Sequence, residues 1–384
     1  MSQDYLDPTC SLGSVLNPFV YDDPLPPDAL VDREREAGHL LRLAEGGHNS
    51  RLQAPRRYGK TTLILKVLDD ARKAGMQTVY VDLFRSVTVS EVSRRIEEAY
   101  LGALAGPARR AVAAVARKWR ARVKAAPGGV GAEFERAKDS GQQRLAEMLD
   151  LPKRAFKATG MRALVVFDEL QELMRVDPAV DGLLRSKIQF HRDEASYIFA
   201  GSEPGMLDML FEDRERPLFE QARPLYLEPL ESDHLADYIG GRFEASHRDA
   251  GEALDELLDL ARGHPQRTML LAHHLWEQTP EDGVADLETF QRAVDAVARE
   301  TNDRFERTWQ DLGDKPNQRK VLAALANSAD TLYDRRTLSA FSLTKGGADS
   351  GLRALIAGGE VQRTEVGPVL VDPLFERWLQ RTQR

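Results

Sequence analysis

The stretch QAPRRYGKTTLIL, residues 53–65, decides the fold of this 384-residue chain. It ends in Gly59, Lys60 and Thr61, as the phosphate-binding motif G-x-x-x-x-G-K-[ST] does, but it begins with Ala54 where that motif has glycine. In this motif, backbone N–H groups at the start of a helix converge on phosphate oxygens. The residues that follow have the apolar periodicity of an amphipathic helix. The stretch predicts a triphosphate-binding loop, and the alternative interpretation is a charged helix start.

The residue types of the loop match the chemistry of a bound triphosphate. Gly59 allows the backbone to approach the phosphates, Lys60 would reach the β and γ phosphates, and the Thr61 hydroxyl would ligate Mg²⁺. Ala54 fits the loop if its φ angle is not positive, because only glycine adopts positive φ freely. The nucleotide-binding residues predicted from this loop are Ala54, Pro55, Arg56, Arg57, Tyr58, Gly59, Lys60, Thr61 and Thr62.

A second motif lies at the end of the apolar run ALVVF, which is followed by Asp168 and Glu169. A carboxylate at the C-terminal end of a parallel strand lies beside the phosphate loop, where open α/β sheets bind ligands. We expect Asp168 to hold Mg²⁺ and Glu169 to orient or deprotonate the attacking water. The alternative, an acidic residue that caps a helix, explains one carboxylate better than two.

Two further polar residues are candidates for catalytic roles. Ser202 follows the apolar run YIFAG and would hydrogen-bond the attacking water or the γ-phosphate, although serine is also a common turn former. Arg267 lies in the stretch GHPQR, residues 263–267, at a predicted helix start. It would reach the γ-phosphate, and the alternative is a helix arginine that faces solvent.

The order of apolar runs predicts an α/β fold. Runs of residues with the character of buried strands alternate with helical patterns, which favours a parallel sheet with crossover helices. The predicted strands cover residues 77–84, 162–170, 195–202 and 223–230. The polar Arg51 and Gln53 are unusual for a first, central strand, because central parallel strands are almost wholly apolar.

The flanking segments predict further units. Residues 1–28, rich in Pro, Asp and Ser, are expected to form an extended lead-in that packs late or not at all, and Asp32 is a predicted helix N-cap. Residues 29–230 form the predicted ATPase core, and residues 231–313 contain only helical patterns and form a predicted lid. Residues 314–384 show three helices and a hairpin around Gly367, the layout of a winged helix.

Composition limits the class of protein. The chain carries a net charge of −8, 42% hydrophobic and 30% charged residues, and a single cysteine, Cys10. One cysteine excludes an internal disulfide and a multi-cysteine zinc site. No apolar run approaches the ~20 residues of a membrane span, and the N-terminus lacks the pattern of a signal peptide. We therefore expect a cytoplasmic protein.

Together these motifs resemble the archaeal-type ATPases, a branch of the AAA+ and STAND P-loop ATPases akin to the origin-recognition initiators. The resemblance covers roughly residues 17–380 and includes the paired arginines before GKT. It implies a Walker A motif at Lys60 and Thr61, a Walker B motif at Asp168 and Glu169, and ATP and Mg²⁺ as cofactors. It also implies a first sensor at Ser202, a second sensor near Arg267, adenine contacts from Phe19 and Val31, and an arginine finger at Arg214, Arg216 or Arg223.

The predicted function is ATP binding and hydrolysis coupled to movement of the lid and the winged helix. The winged helix would contact DNA or a protein partner, and both remain open. The basic helix at residues 108–124 is either a second DNA contact or a solvated face. The alternative function is an ATP-dependent regulatory switch that acts on a protein partner with negligible turnover. Self-association through the arginine finger is a further expectation.

Overall fold

The computed structural model describes residues 16–125, 133–328, 332–365 and 367–383. Its central feature is a sheet of five parallel strands in the order β2-β3-β4-β1-β5. The strands are β1 (Ser50–Gln53), β2 (Gln77–Asp82), β3 (Ala163–Asp168), β4 (Ala195–Gly201) and β5 (Arg223–Tyr226). The predicted α/β fold is thus confirmed, and each of the four strands predicted from apolar runs is present.

The alternation of side chains along β3 explains why helices cover both faces of the sheet. Leu164 and Val166 face one layer and pack with the first two helices of the core, whereas Val165 and Phe167 pack into the layer on the other face. These core helices are α1 (Glu34–Glu45), α2 (Lys60–Lys73), α3 (Val89–Ala103), α4 (Gly106–Ala125), α5 (Glu133–Leu149), α6 (Leu151–Thr159), α7 (Gln171–Val176), α8 (Val180–Ile188) and α9 (Pro204–Glu212).

Two of the polar residues of β1, Arg51 and Gln53, are buried and have side-chain partners on α9. Gln53 donates to Asp208 Oδ1 at 2.7 Å, and Arg51 forms ion pairs with Asp208 and Glu212 on α9. Both side chains point to the α9 side because residues two apart on a strand share a face. The polar first strand is therefore matched by a polar stripe on one helix.

The segment after β5 consists of helices α10 (Ser232–Ala245), α11 (Ala253–Ala261), α12 (Pro265–Gln278) and α13 (Leu287–Asp311). The segment before α1 includes a short 3₁₀ helix at Pro27–Ala29, which packs on α2, whereas the residues around Phe19 pack on this helical unit. Phe19 is 1% exposed, and its ring centroid lies 5.6 Å from that of Phe243. Its carbonyl oxygen accepts a hydrogen bond from His273 Nδ1. The described part of the predicted lead-in therefore contains packed residues, residues 1–15 lie outside the described residues, and the lead-in at 1–28 stays a prediction.

Asp32 does not cap α1, so that prediction is also wrong. The helix begins after Arg33, and Asp32 has a positive φ of 48°. Its carboxylate instead accepts the Glu231 N–H at 3.0 Å and lies 2.7 Å from His234 Nδ1. An aspartate tolerates this left-handed conformation better than most residues do, and here it ties the start of α1 to the start of α10.

The C-terminal segment, residues 316–382, contains α14 (Pro316–Ser328), α15 (Arg335–Ala340), α16 (Lys345–Gly358), the antiparallel strands β6 (Val361–Thr364) and β7 (Gly367–Leu370), and α17 (Pro373–Thr382). Three helices before a hairpin match the predicted layout, and α17 is an additional element. The predicted boundaries at 230 and 313 fall between elements, and the division into domains stays a prediction. Among the described residues, no helix has both the length and the apolar character to cross a bilayer.

Candidate nucleotide site

The predicted phosphate loop connects β1 to α2 at the C-terminal edge of the sheet. Its positive φ angles are at Arg57 (70°) and Gly59 (77°), and the φ of Ala54 is not positive. Alanine is therefore compatible with the first position of this loop. Gly59 is the N-cap residue of α2, so the unpaired N–H groups of the first helical turn lie at the loop, as anion binding requires.

A cavity of about 460 Å³ opens at this loop. It is large enough for a small-molecule ligand and is bordered by both the core and the helical unit. Pro55 to Thr62 line one side, Glu169 and Ser202 lie at the sheet edge, and Val31, Pro265 and Gln266 line the opposite side. Val31 lines the cavity, and its adenine contact stays a prediction. Phe19 is buried in the helical unit and does not line the cavity, and its adenine contact stays a prediction.

The loop lysine lies against the carboxylates at the end of β3. Lys60 Nζ is 2.7 Å from Asp168 Oδ1 and 2.8 Å from Glu169 Oε1. The Lys60 side chain is 9% exposed and that of Asp168 is 5% exposed, so these charges are largely removed from water. The structure brings together three of the six residues that the sequence assigned to catalysis or to Mg²⁺.

Asp168 has two further hydrogen-bond donors. The Tyr80 hydroxyl on the neighbouring strand β2 donates to Asp168 Oδ2 at 2.8 Å, and the backbone N–H of Glu169 donates to Oδ1 at 2.9 Å. Burial, together with the Asp168 charge and this hydrogen bond, raises the pKa of Tyr80, so it stays a donor. Sequence reasoning missed Tyr80, since only the pairing of β2 with β3 brings it to Asp168.

Glu169 is held by three side chains. Besides Lys60, it accepts a hydrogen bond from Ser202 Oγ at 2.8 Å and another from the Gln171 side-chain amide. Burial acts to raise the pKa of Glu169, but the Lys60 ion pair and these hydrogen bonds outweigh it and lower the pKa. Glu169 has a positive φ of 55°, a conformation that is unfavourable for a residue of this size. Its carboxylate is therefore ionised at neutral pH and fixed in position.

Gln171 reaches Glu169 because Gly201, the last residue of β4, has no side chain at the point of contact. A Cβ added at Gly201 would lie 2.5 Å from Gln171 Oε1 and 2.9 Å from Leu207 Cδ1. Gln171 is 1% exposed. A larger residue in place of the glycine in the sequence FAGS would therefore require the side chains of Gln171 and Leu207 to shift.

Arg267 is not directed into the cavity. It is 2% exposed, and its guanidinium forms a two-point ion pair with Asp372, the N-cap residue of α17, with Nε to Oδ1 at 2.9 Å. It neither faces solvent nor lines the cavity, and its role as a second sensor stays a prediction. Neighbouring Arg57 does line the cavity, and burial and the Arg267 charge lower its pKa.

The three candidate arginine fingers lie away from this cavity. Arg214 and Arg223 are exposed and have no side-chain partner among the described residues. Arg216 is half-buried and donates to Asp181 at 3.3 Å. None of the three lines the cavity of its own chain, so a finger role requires a second subunit.

The donor set at the loop fits Mg²⁺. Hard divalent cations prefer oxygen ligands, and the Thr61 hydroxyl and the Asp168 carboxylate supply them at the edge of the cavity. Lys60 neutralises this carboxylate in the present structure. Bound phosphates would draw the ammonium group away and leave Asp168 to the metal.

A parallel sheet with a phosphate loop after its first strand and paired carboxylates after β3 defines a P-loop nucleoside triphosphatase. More particularly, the chain belongs to the family of ATPase domains that come predominantly from Archaea, since the model of that family matches residues 30–271. It is therefore an ATPase that binds nucleotide. No curated protein matches the chain significantly in sequence.

Solved structures share the fold at low sequence identity. The Walker-type ATPase PABY2304 of Pyrococcus abyssi is 18% identical, with a TM-score of 0.68, over 94% of this chain and 99% of that protein. The Aeropyrum pernix ORC2 protein, solved in ADPNP–ADP complexes, is 16% identical, with a TM-score of 0.57, over 96% and 99% of the two chains. At these identities the likeness concerns the fold, which is origin-recognition-like along nearly the whole chain.

Proposed function

We propose that this chain uses Mg²⁺ and ATP to switch the relative position of its core, helical unit and C-terminal segment, with hydrolysis as the reset. The observation that carries the proposal is the contact of Lys60 with Asp168 and Glu169 beside an open cavity. A lysine, a metal-binding carboxylate and a water-orienting carboxylate are the side chains that phosphoryl transfer to water requires.

The chain's own residues would act by positioning and charge neutralisation. Mg²⁺, when bound, would neutralise charge on the phosphate oxygens. Lys60 would move from the carboxylates to the β and γ phosphates. Glu169 would accept a hydrogen bond from the attacking water and aim it at the γ-phosphate. Ser202, 2.8 Å from Glu169, would hold the same water from the other side.

Two ion pairs support coupling between the nucleotide and the C-terminal segment. Arg262, which ends α11, pairs with Glu376, and Arg267, in the first turn of α12, pairs with Asp372. The junction between α11 and α12 is therefore held to α17 on both sides. The phosphate loop contacts the same junction, because the Tyr58 ring packs edge-on to His264 at 5.0 Å. A change at the loop would therefore reach α17 through one layer of side chains.

A regulatory switch with negligible turnover is the second candidate. The observation that favours it is that Lys60, Ser202 and Gln171 all hold Glu169. A carboxylate with three donors is poorly available to water until one donor moves.

Hydrolysis would then depend on a second copy of the chain, whose Arg214, Arg216 or Arg223 would act as the arginine finger. In the cytoplasm, where we place the protein, its partner at the C-terminal segment would be DNA or another protein.

The substitution Glu169→Gln tests the hydrolytic role. We expect Mg²⁺-dependent ATP binding close to that of the wild type, and a loss of phosphate release on the order of 10²-fold or more, since amide oxygen is a poor base. The matched control is Glu172→Gln, three residues further on, whose carboxylate pairs with Arg175. Equal phosphate release by Glu169→Gln and Glu172→Gln would remove Glu169 from the mechanism. A stoichiometric burst without turnover in the wild type would favour the switch.

A further inference from the structure

We propose that the exposed face of α4 binds the phosphate backbone of double-stranded nucleic acid. Residues 106–125 contain seven Lys or Arg and no Asp or Glu. Without these seven cations, 46 Lys and Arg would remain in the chain against 61 Asp and Glu, so α4 is a basic surface on an acidic protein. The proposal concerns a surface outside the nucleotide cavity and does not depend on it.

The basic face, which we define as Arg109, Arg110, Arg117, Lys118 and Arg120, is accessible on a rigid support. All five residues are exposed. On the opposite side of the helix, Ala108, Val112 and Val115 are buried in the core layer that also contains α3 and α6. The helix is thus held in place by its apolar side while its cations point outward.

The basic face of α4 differs from other charged helices in how few of its cations form ion pairs. On α3, Arg94 pairs with Glu98 at 2.7 Å and Arg95 with Glu91 at 3.1 Å, and on α13, Arg292 pairs with Glu288 at 3.0 Å. On the basic face, only Arg120 has a carboxylate partner, Glu97 at 3.4 Å. The other four residues have none among the described residues.

The arrangement is unfavourable for the helix alone. Arg117 and Arg120 lie about one helical turn apart, where like charges destabilise a helix by about 0.2–0.5 kcal/mol per pair, an effect that Glu97 offsets in part through Arg120. A solvated helix surface is usually stabilised by mixed charges, as α3 and α13 are. Cations without counter-charges are instead the feature that binds nucleic-acid phosphates.

The exposed residues point to a duplex and to its backbone. Arg110 and Arg117 are seven residues apart and so lie on nearly the same side of the helix, and Arg110 to Lys118 spans about 12 Å along the axis. That length is about the width of the B-DNA major groove, so these cations would reach phosphates on both edges of it. The exposed described residues of α4 include no aromatic side chain for stacking on unpaired bases and no amide for reading base edges. We therefore expect binding that depends little on sequence.

The test is equilibrium binding of a fluorescein-labelled 30-base-pair DNA duplex of mixed sequence, measured at several salt concentrations. The variant Arg110→Gln/Arg117→Gln/Lys118→Gln should bind about tenfold more weakly at low salt. Its slope of log K against log salt should be smaller by about 0.9 for each cation lost. The matched control, Lys73→Gln/Arg94→Gln/Arg292→Gln, removes the same charge from exposed residues that are paired on their own helices.

Three results would overturn the proposal: equal affinity and slope in the two triple variants, no duplex binding by the wild type at 50 mM salt, or tighter binding of the single strand than of the duplex. ATP hydrolysis is measured on the same preparations and should be unchanged in both triple variants. Absence of ATP hydrolysis together with the expected duplex binding would contradict the proposed function and would still support binding by the basic face.

Discussion

At the scale of single residues, Asp168 shows how β2 contributes to a site that the motifs assign to β1 and β3. Lys60, Tyr80 and the Glu169 N–H all donate to its carboxylate. Groups that hydrogen-bond a metal ligand fix its orientation, and their loss typically costs 10- to 100-fold in metal affinity. Tyr80 is therefore a positioning residue for the predicted Mg²⁺ ligand.

The substitution Tyr80→Phe tests this role. We expect the Mg²⁺ concentration for half-maximal binding of a fluorescent ATP analogue to rise about tenfold, because Asp168 loses the donor that orients Oδ2. Binding of the analogue without Mg²⁺ should not change. Tyr226→Phe is the control, since its hydroxyl contacts Asp208 and Glu212 away from the cavity. An unaltered Mg²⁺ requirement in Tyr80→Phe would contradict the assignment.

At the scale of elements, the sequence GHP proves to be the junction between core and helical unit. Gly263 has a φ of 71°, and a Cβ there would lie 2.4 Å from the Leu230 carbonyl oxygen. His264 caps α12 by accepting the Arg267 N–H at its Nδ1, and Pro265 occupies the first turn. Close packing, a cap and a helix-starting proline each explain one residue of the motif.

Acid should destabilise this junction. Burial lowers the pKa of His264 from 6.5 to about 4 and outweighs the Asp372 charge, which acts to raise this pKa. The folded state therefore favours neutral His264, its stabilising effect is complete above about pH 6.5, and the effect is lost as the pH falls towards 4. His264 should therefore account for on the order of 3 kcal/mol of the free energy of unfolding that is lost between pH 6.5 and pH 4.

The variant His264→Asn keeps a good capping residue but removes the titration. We expect its free energy of unfolding, from denaturant titrations at pH 7 and pH 4, to fall less with acid than that of the wild type. His247→Asn is the control, because His247 is an exposed residue outside the cavity lining. If the wild type and His264→Asn lose the same stability, His264 is not the group that titrates.

The elements that sequence could predict are those whose patterns are local. The apolar runs gave the strands β2 to β5, and the periodicity after GKT predicted α2. Arg51 and Gln53 cast doubt on β1 because their partners, Asp208 and Glu212, lie more than 150 residues away on α9. Asp32 had the right residue type for an N-cap, but its contacts with Glu231 and His234 are tertiary and override local preference.

At the scale of the whole molecule, α17 joins the C-terminal segment to the turn before α12. Asp372 caps α17 through the Leu374 and Phe375 N–H groups and also pairs with the buried Arg267. Burial acts to raise the pKa of Asp372, but Arg267 outweighs it and lowers the pKa. This double use of one carboxylate could not be predicted from sequence, because it depends on how two separate segments pack.

The variant Asp372→Asn tests the contribution of this contact. Asparagine keeps the cap, but the buried Arg267 loses its counter-charge, which typically costs 3–5 kcal/mol. We expect a fall in melting temperature of several degrees, measured by scanning fluorimetry. We also expect ATP to raise the melting temperature more than it does in the wild type, because the released arginine can approach the phosphates. In the control, Glu376→Gln, the affected pair with Arg262 is partly exposed, so the effect should be small. Equal melting temperatures of Asp372→Asn and Glu376→Gln would contradict the coupling.

The most direct measurement of the central claim is the affinity of a fluorescent ATP analogue, with Mg²⁺, for Lys60→Ala and for Lys66→Ala. Both lysines lie on α2, but Lys66 pairs with Asp70 one turn further on and does not line the cavity. The account predicts that Lys60→Ala abolishes binding and that Lys66→Ala binds as the wild type does. Wild-type affinity in Lys60→Ala would show that the nucleotide binds somewhere other than this loop.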